Sequence, residues 1–282
     1  MLKLFLTLIA FSITCFSCSF QSSEKEKSGA LNITVSILPQ KFIVEKIGGD
    51  KVNINVMVPP AASPETYEPD TRKMVLLKES AIYFLIGMPF EVTAFEKIKD
   101  DYKETQFVSM SKGIDLSDDP HIWLAPHNLL VMAENTVSAL IKKDPANKGK
   151  YVKNLVAFKS EIHLLHDELI DLFKGDFGSS FVVYHPAWGH FSQKLGIKQI
   201  ALEVEGKEPS AAKIGELTDF IKRNGVKYVF MQPQSSNEIV KALALETGVE
   251  IKQIDPLKEN IIENIKESAL LIKQGLVRAK SN

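Results

Sequence analysis

The middle of the chain carries an apolar stripe that separates two halves of similar pattern. Between residues 145 and 174, apolar side chains recur at alternating intervals of four and three residues, at Tyr151, Leu155, Phe158, Ile162, Leu165, Leu169 and Leu172. This spacing places all of them on one face of a single α-helix. Thirty residues of helix would be ~45 Å long, which is the scale of a whole domain. The stripe therefore predicts one long helix joining two separate halves.

On both sides of this helix, short β-rich runs alternate with helical patterns. The strand candidates are residues 31–38, 52–59, 81–87 and 105–110 before the helix, and 180–185, 197–203, 227–232 and 249–255 after it. Alternation of this kind indicates βαβ units and parallel sheets. We expect an α/β protein with two (βα)4-type lobes, mainly parallel sheets and one long rigid connecting helix. The predicted division is 31–144 for the first lobe, 145–175 for the linking helix and 176–282 for the second lobe.

The N-terminus has the pattern of an export signal. An apolar run from Leu4 to about Phe16 follows Lys3, and it is shorter than the ~20 apolar residues that span a bilayer. Cys18 follows a small residue, Ser17, as in a bacterial lipobox, although Cys15 stands where Leu is usual. We expect a lipoprotein-type signal peptide over 1–18, with Cys18 lipidated, and a flexible tether over 19–30. An ordinary secretory signal with incidental cysteines is the alternative.

This N-terminus predicts an exported protein, anchored to the membrane by lipid and facing the periplasm or the cell exterior. The chain has only two cysteines, both in the signal, so the mature body has no disulfide framework. Its 34 basic and 35 acidic residues give a formal net charge of -1, and nucleic-acid binders usually show a marked basic excess. We therefore expect no nucleic acid among the partners.

Four potential metal ligands fall at or after the carboxyl ends of predicted strands. They are Glu65 and His121 in the first half and His185 and Asp255 in the second. Ligands of open parallel sheets bind outside the carboxyl ends of the strands, so these side chains would meet if the two sheets face each other. A proline adjoins each of the four and restricts the backbone beside it, although prolines also mark loop boundaries in general.

Two imidazoles with two carboxylates form a mixed ligand set for a first-row transition metal. Imidazole suits Zn, Cu, Fe and Ni, whereas carboxylate suits Mg, Ca and Mn. With a divalent ion the set is formally neutral, which lowers the cost of burying it between lobes. The set on its own does not select one metal.

Other residues near these positions have two interpretations each. His190 is expected to orient a ligand, and Trp188 to shield the site from water. Packing roles are the alternatives for both, and the same choice applies to Trp123. His127, near a predicted helix start, is expected at the surface or at the helix end.

Several stretches resemble one bacterial family over nearly the whole mature chain. These stretches are "SPETYEP", "DPHIWLAP", "YHPAWGHFSQKLGI" and "ETGVEIKQIDPL". They are similar to the metal-binding substrate-binding proteins of ABC importers for zinc and manganese, the zinc-uptake or cluster A-I group. The resemblance implies two α/β lobes joined by a rigid helix, an ion held between the lobes, and delivery to a membrane permease. It also implies Glu65, His121, His185 and Asp255 as the ligands, no enzymatic activity and a monomeric protein.

The chain departs from the family pattern at the first ligand position, where Glu65 replaces the usual His. Zinc members typically have His, His, His and Asp, and manganese members His, His, Glu and Asp. The His at the third position, His185, favours Zn²⁺, while the count of nitrogen and oxygen ligands equals that of the manganese set, so Mn²⁺ or Fe²⁺ is the alternative. We expect Glu65 to bind the ion; otherwise water completes a three-ligand site.

A secreted metallohydrolase is the competing function class. A catalytic zinc site has three protein ligands and a bound water, which is the geometry that would remain if Glu65 did not bind. The sequence contains neither H-E-x-x-H nor G-x-S-x-G. The sequence therefore favours a binding protein over an enzyme.

Overall fold

A computed structural model describes residues 29–95, 101–116, 119–203, 208–234 and 238–278. The predicted signal peptide with Cys18 and most of the predicted tether lie outside these residues. The elements of the first lobe are β1 (Leu31–Val35), α1 (Leu38–Gly48), β2 (Val52–Val56), α2 (Thr71–Lys78), β3 (Ile82–Leu85), β4 (Gln106–Ser109) and α3 (Pro126–Lys143). The long helix α4 (Lys148–Leu172) follows. The second lobe contains β5 (Ser180–Val183), α5 (Gly189–Leu195), β6 (Lys198–Ala201), α6 (Ala211–Asn224), β7 (Tyr228–Met231), α7 (Glu238–Thr247), β8 (Glu250–Gln253) and α8 (Ile261–Gly275).

Each lobe is built on a four-stranded parallel sheet. The strand orders are β2-β1-β3-β4 and β6-β5-β7-β8, and every paired strand runs parallel to its neighbour. One isolated antiparallel bridge joins Ser180 to Val277. The predicted α/β class with two mainly parallel sheets is confirmed. The residue boundaries predicted for the lobes remain a prediction.

The central strands form the core of each lobe. In the first lobe, Ile33, Val35, Tyr83 and Phe84 are fully buried, as expected for β1 and β3, which have a strand on each side and helices on the sheet faces. In the second lobe, β5 is buried along its whole length. Buried side chains fill both faces of these sheets. Polar side chains that could bind a ligand therefore lie at the strand ends.

The helix ends follow their sequence signals. Ser210 caps α6 by accepting a hydrogen bond from the N–H of Lys213, as serine before a helix commonly does. Gly196 and Gly225 end α5 and α6 in the left-handed conformation, with φ of 68° and 64°, which glycine adopts without steric penalty.

Helix α4 spans both lobes. Its apolar stripe is buried at Tyr151, Phe158, Ile162, Leu165 and Leu169. It packs against α1 and α3 of the first lobe and against α8 of the second. Lys46 of α1 and Lys266 of α8 each form an ion pair with it, to Glu161 and Glu168, both at 2.7 Å. The predicted linking helix is therefore present and in contact with both halves. Among the described helices, none combines the length and the apolar character needed to cross a membrane.

A buried carboxylate orders the segment after β3. This segment contains a π-helical turn, Glu91–Phe95. The Glu91 carboxylate is buried and accepts hydrogen bonds from the backbone N–H groups of Ile86, Gly87 and Met88, and burial raises its pKa. This carboxylate thus fixes the loop at the carboxyl end of β3, a tertiary role that helical periodicity does not reveal.

Candidate metal centre

Three of the four predicted ligands meet between the lobes. Glu65 lies in the loop between β2 and α2, His121 precedes a short 3₁₀ turn ahead of α3, and His185 lies two residues after β5. One ligand atom from each lies within 4.8 Å of the others. The Nε2 atoms of His121 and His185 are 3.1 Å apart, and Glu65 Oε1 lies 3.2 Å from His185 Nε2 and 3.9 Å from His121 Nε2. Residues from both lobes thus share one small cluster.

The cluster is buried on the imidazole side and partly open at the carboxylate. The side chains of His121 and His185 are 9% and 6% exposed, whereas that of Glu65 is 29% exposed. Further lining residues include Met88, Trp123, Gln232, Gln234 and Leu257. Low exposure strengthens electrostatic interaction among the three groups, and the Glu65 side forms the approach from solvent.

Asp119 determines which nitrogen of His121 faces the cluster. Its Oδ1 lies 2.8 Å from His121 Nδ1 and also accepts the His121 backbone N–H at 2.9 Å. Because a carboxylate only accepts, Nδ1 carries the hydrogen and Nε2 presents its lone pair. Burial would raise the pKa of Asp119, but the hydrogen bond from His121 holds it below the usual range. A carboxylate behind an imidazole is the usual way in which proteins orient a metal-binding histidine.

Glu203 has the corresponding position behind His185. Its Oε2 lies 3.1 Å from His185 Nδ1. Burial alone would lower the pKa of His185, but hydrogen bonds to Glu203 and Glu65 and their negative charges raise it to about 9. The hydrogen bond from His185 in turn lowers the pKa of Glu65. When no ion is bound, the proton on His185 Nε2 links His185 to His121 and Glu65 by hydrogen bonding. A cation that binds to Nε2 would have to displace this proton.

The comparison with known proteins identifies the family. Residues 33–273 match the family described as zinc-uptake complex component A, periplasmic. The chain belongs to this family. The family is one of substrate-binding components of transporters, so the expectations of this family and of a chain that is not an enzyme are confirmed.

Individual relatives agree with this assignment. The zinc-binding lipoprotein AdcA of Streptococcus pneumoniae is 24% identical over 269 residues, which cover 87% of this chain and 54% of AdcA. The chain thus spans about half the length of that relative. A crystal structure of ZnuA is 36% identical with a TM-score of 0.83 and covers 87% of this chain and 99% of its own. A ZnuA deletion mutant with zinc bound is 35% identical with a TM-score of 0.82, covering 90% of this chain and 100% of its own.

In this zinc-uptake family member, a polar contact across the lobes reaches the ligand His121. His190 of α5 donates its backbone N–H to Asp119 Oδ2 at 3.3 Å, and its Nε2 lies 2.8 Å from the Asp119 carbonyl oxygen. A Cβ atom at the neighbouring Gly189 would overlap Asp119 Oδ2. His190 therefore contacts the residue that orients His121, and its predicted effect on the ion stays a prediction.

The two tryptophans differ in their relation to the cluster. Trp123 lines it, with its ring centroid 5.2 Å from that of His121, and its indole N–H donates to the Pro256 carbonyl at 2.7 Å. Trp188 is buried and packs edge-on against Phe191 at 5.6 Å. The sequence pattern treats both tryptophans alike, and of these two described residues Trp123 lines the cluster and Trp188 does not. The predicted shielding role of Trp188 stays a prediction.

Asp255 is not part of the three-residue cluster in the described structure. Its Oδ1 accepts hydrogen bonds from Gln234 Nε2 at 3.0 Å and from the Leu257 N–H at 2.9 Å. The bond from Trp123 to Pro256 nevertheless holds this loop against the first lobe next to His121. Asp255 thus lies on the correct side of the molecule, and direct ligation by it stays a prediction.

Three polar residues of the site were missed by reasoning from the sequence. Glu203 is the last residue of the predicted strand 197–203. The strand-end rule that identified the four expected ligands could therefore have identified Glu203 as well. Asp119 had a weaker signal, a carboxylate two residues before a histidine. Gln234 had none, because an amide is not counted among ordinary metal ligands.

Proposed function

We propose that the chain is an extracytoplasmic solute-binding protein that captures Zn²⁺ between its lobes and delivers it to the permease of an ABC importer. The main supporting observation is the cluster of Glu65 and His121 from one lobe with His185 from the other. A metal ion bound there would be coordinated by side chains of both lobes and would connect the two lobes. Family membership supports the role in transport.

The ligand atoms support zinc as cargo. His121 presents an imidazole Nε2 lone pair and His185 can present a second after losing its proton, and imidazole suits Zn²⁺. Zinc is bound in the related ZnuA mutant structure. Glu65 adds an oxygen in place of a third imidazole, which is the feature that favours Mn²⁺ or Fe²⁺ as the second candidate cargo.

The direct ligands that we propose are Glu65, His121 and His185, with Asp255 as the predicted fourth. Asp119 and Glu203 would hold the two imidazoles in place during binding. We further propose that the protein is exported, anchored through lipid on Cys18 and monomeric. The signal-like N-terminus and a relative that is named a lipoprotein support the anchor.

Isothermal titration of the purified protein with Zn²⁺ tests the binding role. We expect one tight site, strongly weakened in His121→Ala and in His185→Ala. His163→Ala is the matched control, because His163 is an exposed histidine of α4. Binding that is unchanged in both cluster variants would refute the proposed site.

The metal content of protein purified from its native host tests the cargo. The affinity of the purified protein for each divalent metal is a poor guide to the physiological cargo, because such affinities generally follow the Irving–Williams order. Zinc as the bound metal supports the proposal, and manganese or iron in its place would support the second candidate.

A further inference from the structure

The buried carboxylate of Glu91 ties the ends of two strands of the first lobe together. Glu91 is 5% exposed and accepts hydrogen bonds from the backbone N–H groups of Ile86, Gly87 and Met88, after β3, at 3.0, 2.6 and 3.1 Å. The hydroxyl of Ser36, which directly follows β1, donates a further bond to Glu91 Oε1. Hydrogen bonds to an ionised carboxylate are about twice as strong as neutral ones, so Glu91 fixes both strand ends. Met88 also lines the cavity of the metal cluster.

Ser36 connects this carboxylate to the Glu65 loop, which comprises residues 57–70 between β2 and α2. The carbonyl oxygen of Ser36 accepts a hydrogen bond from the N–H of Val58 at 3.0 Å. Val58 lies at the start of the loop, seven residues before Glu65. Ser36 therefore holds the Glu91 carboxylate with its side chain and the start of the Glu65 loop with its backbone.

The turn fixed by Glu91 contacts the Glu65 loop a second time, on the other side of Glu65. The side chain of Glu91 accepts the N–H of Met88, and the backbone N–H of Glu91 donates to the Met88 carbonyl at 3.0 Å. Phe90 lies inside this closed turn. Its buried ring packs edge-on against Tyr67, with the ring centroids 5.5 Å apart. The loop is thus held both before and after its metal ligand.

We propose that Glu91 is a positioning residue for the ligand Glu65, because it fixes two residues that contact the Glu65 loop on either side of that ligand. The inference rests on the proposed function, since it requires that Glu65 binds the ion. Asp119 and Glu203 each orient one histidine directly by a hydrogen bond, whereas Glu91 acts through the loop. A loop that is already held in place loses less conformational freedom when the ion binds, so its position contributes to affinity.

A double-mutant cycle with Glu65, measured as Zn²⁺ affinity in competition with a chromogenic chelator, tests this role. Glu91→Gln keeps the size of the side chain but turns an NH₂ group toward N–H donors, and we expect it to weaken binding about tenfold. The same substitution should cause little further loss in a Glu65→Ala background, because its effect passes through Glu65. Glu79→Gln, at an exposed glutamate that ends α2, is the matched control and should bind like the parent protein.

Ser36→Ala gives a second, milder variant for the same cycle. It removes one donor to the Glu91 carboxylate and leaves the three backbone donors in place. We expect a loss of zinc affinity of a few-fold that again disappears in the Glu65→Ala background. Circular dichroism identifies the variants that keep the parent fold, so the cycle can be completed with Ser36→Ala if Glu91→Gln does not fold.

Losses that add in the double variants would overturn the proposal, because a general loss of stability weakens binding whether or not Glu65 is present. Parent-like zinc affinity in a folded Glu91→Gln, or in Glu65→Ala itself, would overturn it as well. The visible absorption spectrum of bound Co²⁺ depends on the ligands and their geometry, and in Glu91→Gln it should shift toward the spectrum of Glu65→Ala. Absence of metal binding in the parent protein would instead refute the proposed function.

Discussion

His121 and His185, which come from different lobes, bring their Nε2 atoms to within 3.1 Å of each other. Each imidazole is held from behind by a carboxylate of its own lobe, Asp119 for His121 and Glu203 for His185. The pair is thus positioned before any ion binds, so little side-chain entropy remains to be lost on binding. The contact also makes the relative position of the lobes a determinant of metal affinity.

Substitution of Asp119 by Asn should weaken zinc binding by about 10–100-fold. Both oxygens of Asp119 accept from donors, Oδ1 from His121 and Oδ2 from His190. An amide in this position would bring its NH₂ group against one of those N–H groups. Chelator competition measures the loss, and Asp101→Asn at an exposed aspartate is the control. Equal affinity of Asp119→Asn and the parent would show that orientation of His121 does not depend on this carboxylate.

Substitution of Gly189 by Ala should destabilise the contact between the lobes. The added Cβ would overlap Asp119 Oδ2, and overpacking of this kind typically costs about 1–3 kcal/mol. We expect a lower melting temperature without metal and weaker zinc binding, because Asp119 must shift. Gly215→Ala is the control: a Cβ there meets nothing within 4 Å, and alanine within a helix such as α6 stabilises by up to about 1 kcal/mol. The same melting temperature for Gly189→Ala and the parent would contradict the predicted overlap.

Removal of metal should lower thermal stability. A ligand that binds only the folded state at about 100 times its Kd adds about 2.7 kcal/mol, which for a chain of this size corresponds to roughly 5–10 °C in melting temperature. We expect this difference between melts in buffered Zn²⁺ and in a chelator. The His185→Ala variant should show almost none of it, and a full shift in that variant would place the stabilising ion elsewhere.

Acidification should destabilise the protein through His127. Burial, together with the positive charges of Lys194, His190 and His166, lowers its pKa from 6.5 to about 4. Between these values the unfolded state binds more protons than the folded state, so the contribution of His127 is complete above pH 6.5 and is lost as the pH falls toward 4.

Urea unfolding at pH 7 and pH 4.5, with a chelator present, measures this effect. The loss of unfolding free energy between the two pH values should be smaller in His127→Gln than in the parent. His163→Gln, an exposed histidine of α4, should behave like the parent. An identical loss in His127→Gln and the parent would show that His127 does not titrate in the predicted window.

The sequence predicted the fold class and the location of three cluster residues because both follow from local rules. Strand–helix alternation implies parallel sheets, and Glu65, His121 and His185 fall where parallel strands end. The orientation of the Asp255 carboxylate depends instead on hydrogen bonds from the Gln234 amide and from the Leu257 N–H. No periodicity or propensity encodes such a bond, and the same holds for the hydrogen bonds from the loop after β3 to the buried Glu91 carboxylate.

Helix α4 limits how the ion can enter and leave. From Lys150 to Leu172 it contains neither proline nor glycine, the residues at which helices most often kink, and it is anchored to α1 and to α8 by ion pairs. A large rotation of one lobe away from the other would require α4 to bend or to lose its contacts with α1 or α8. Entry and release of a bound ion would therefore require movement of short segments at the site, such as the loop that carries Glu65, while α4 stays straight.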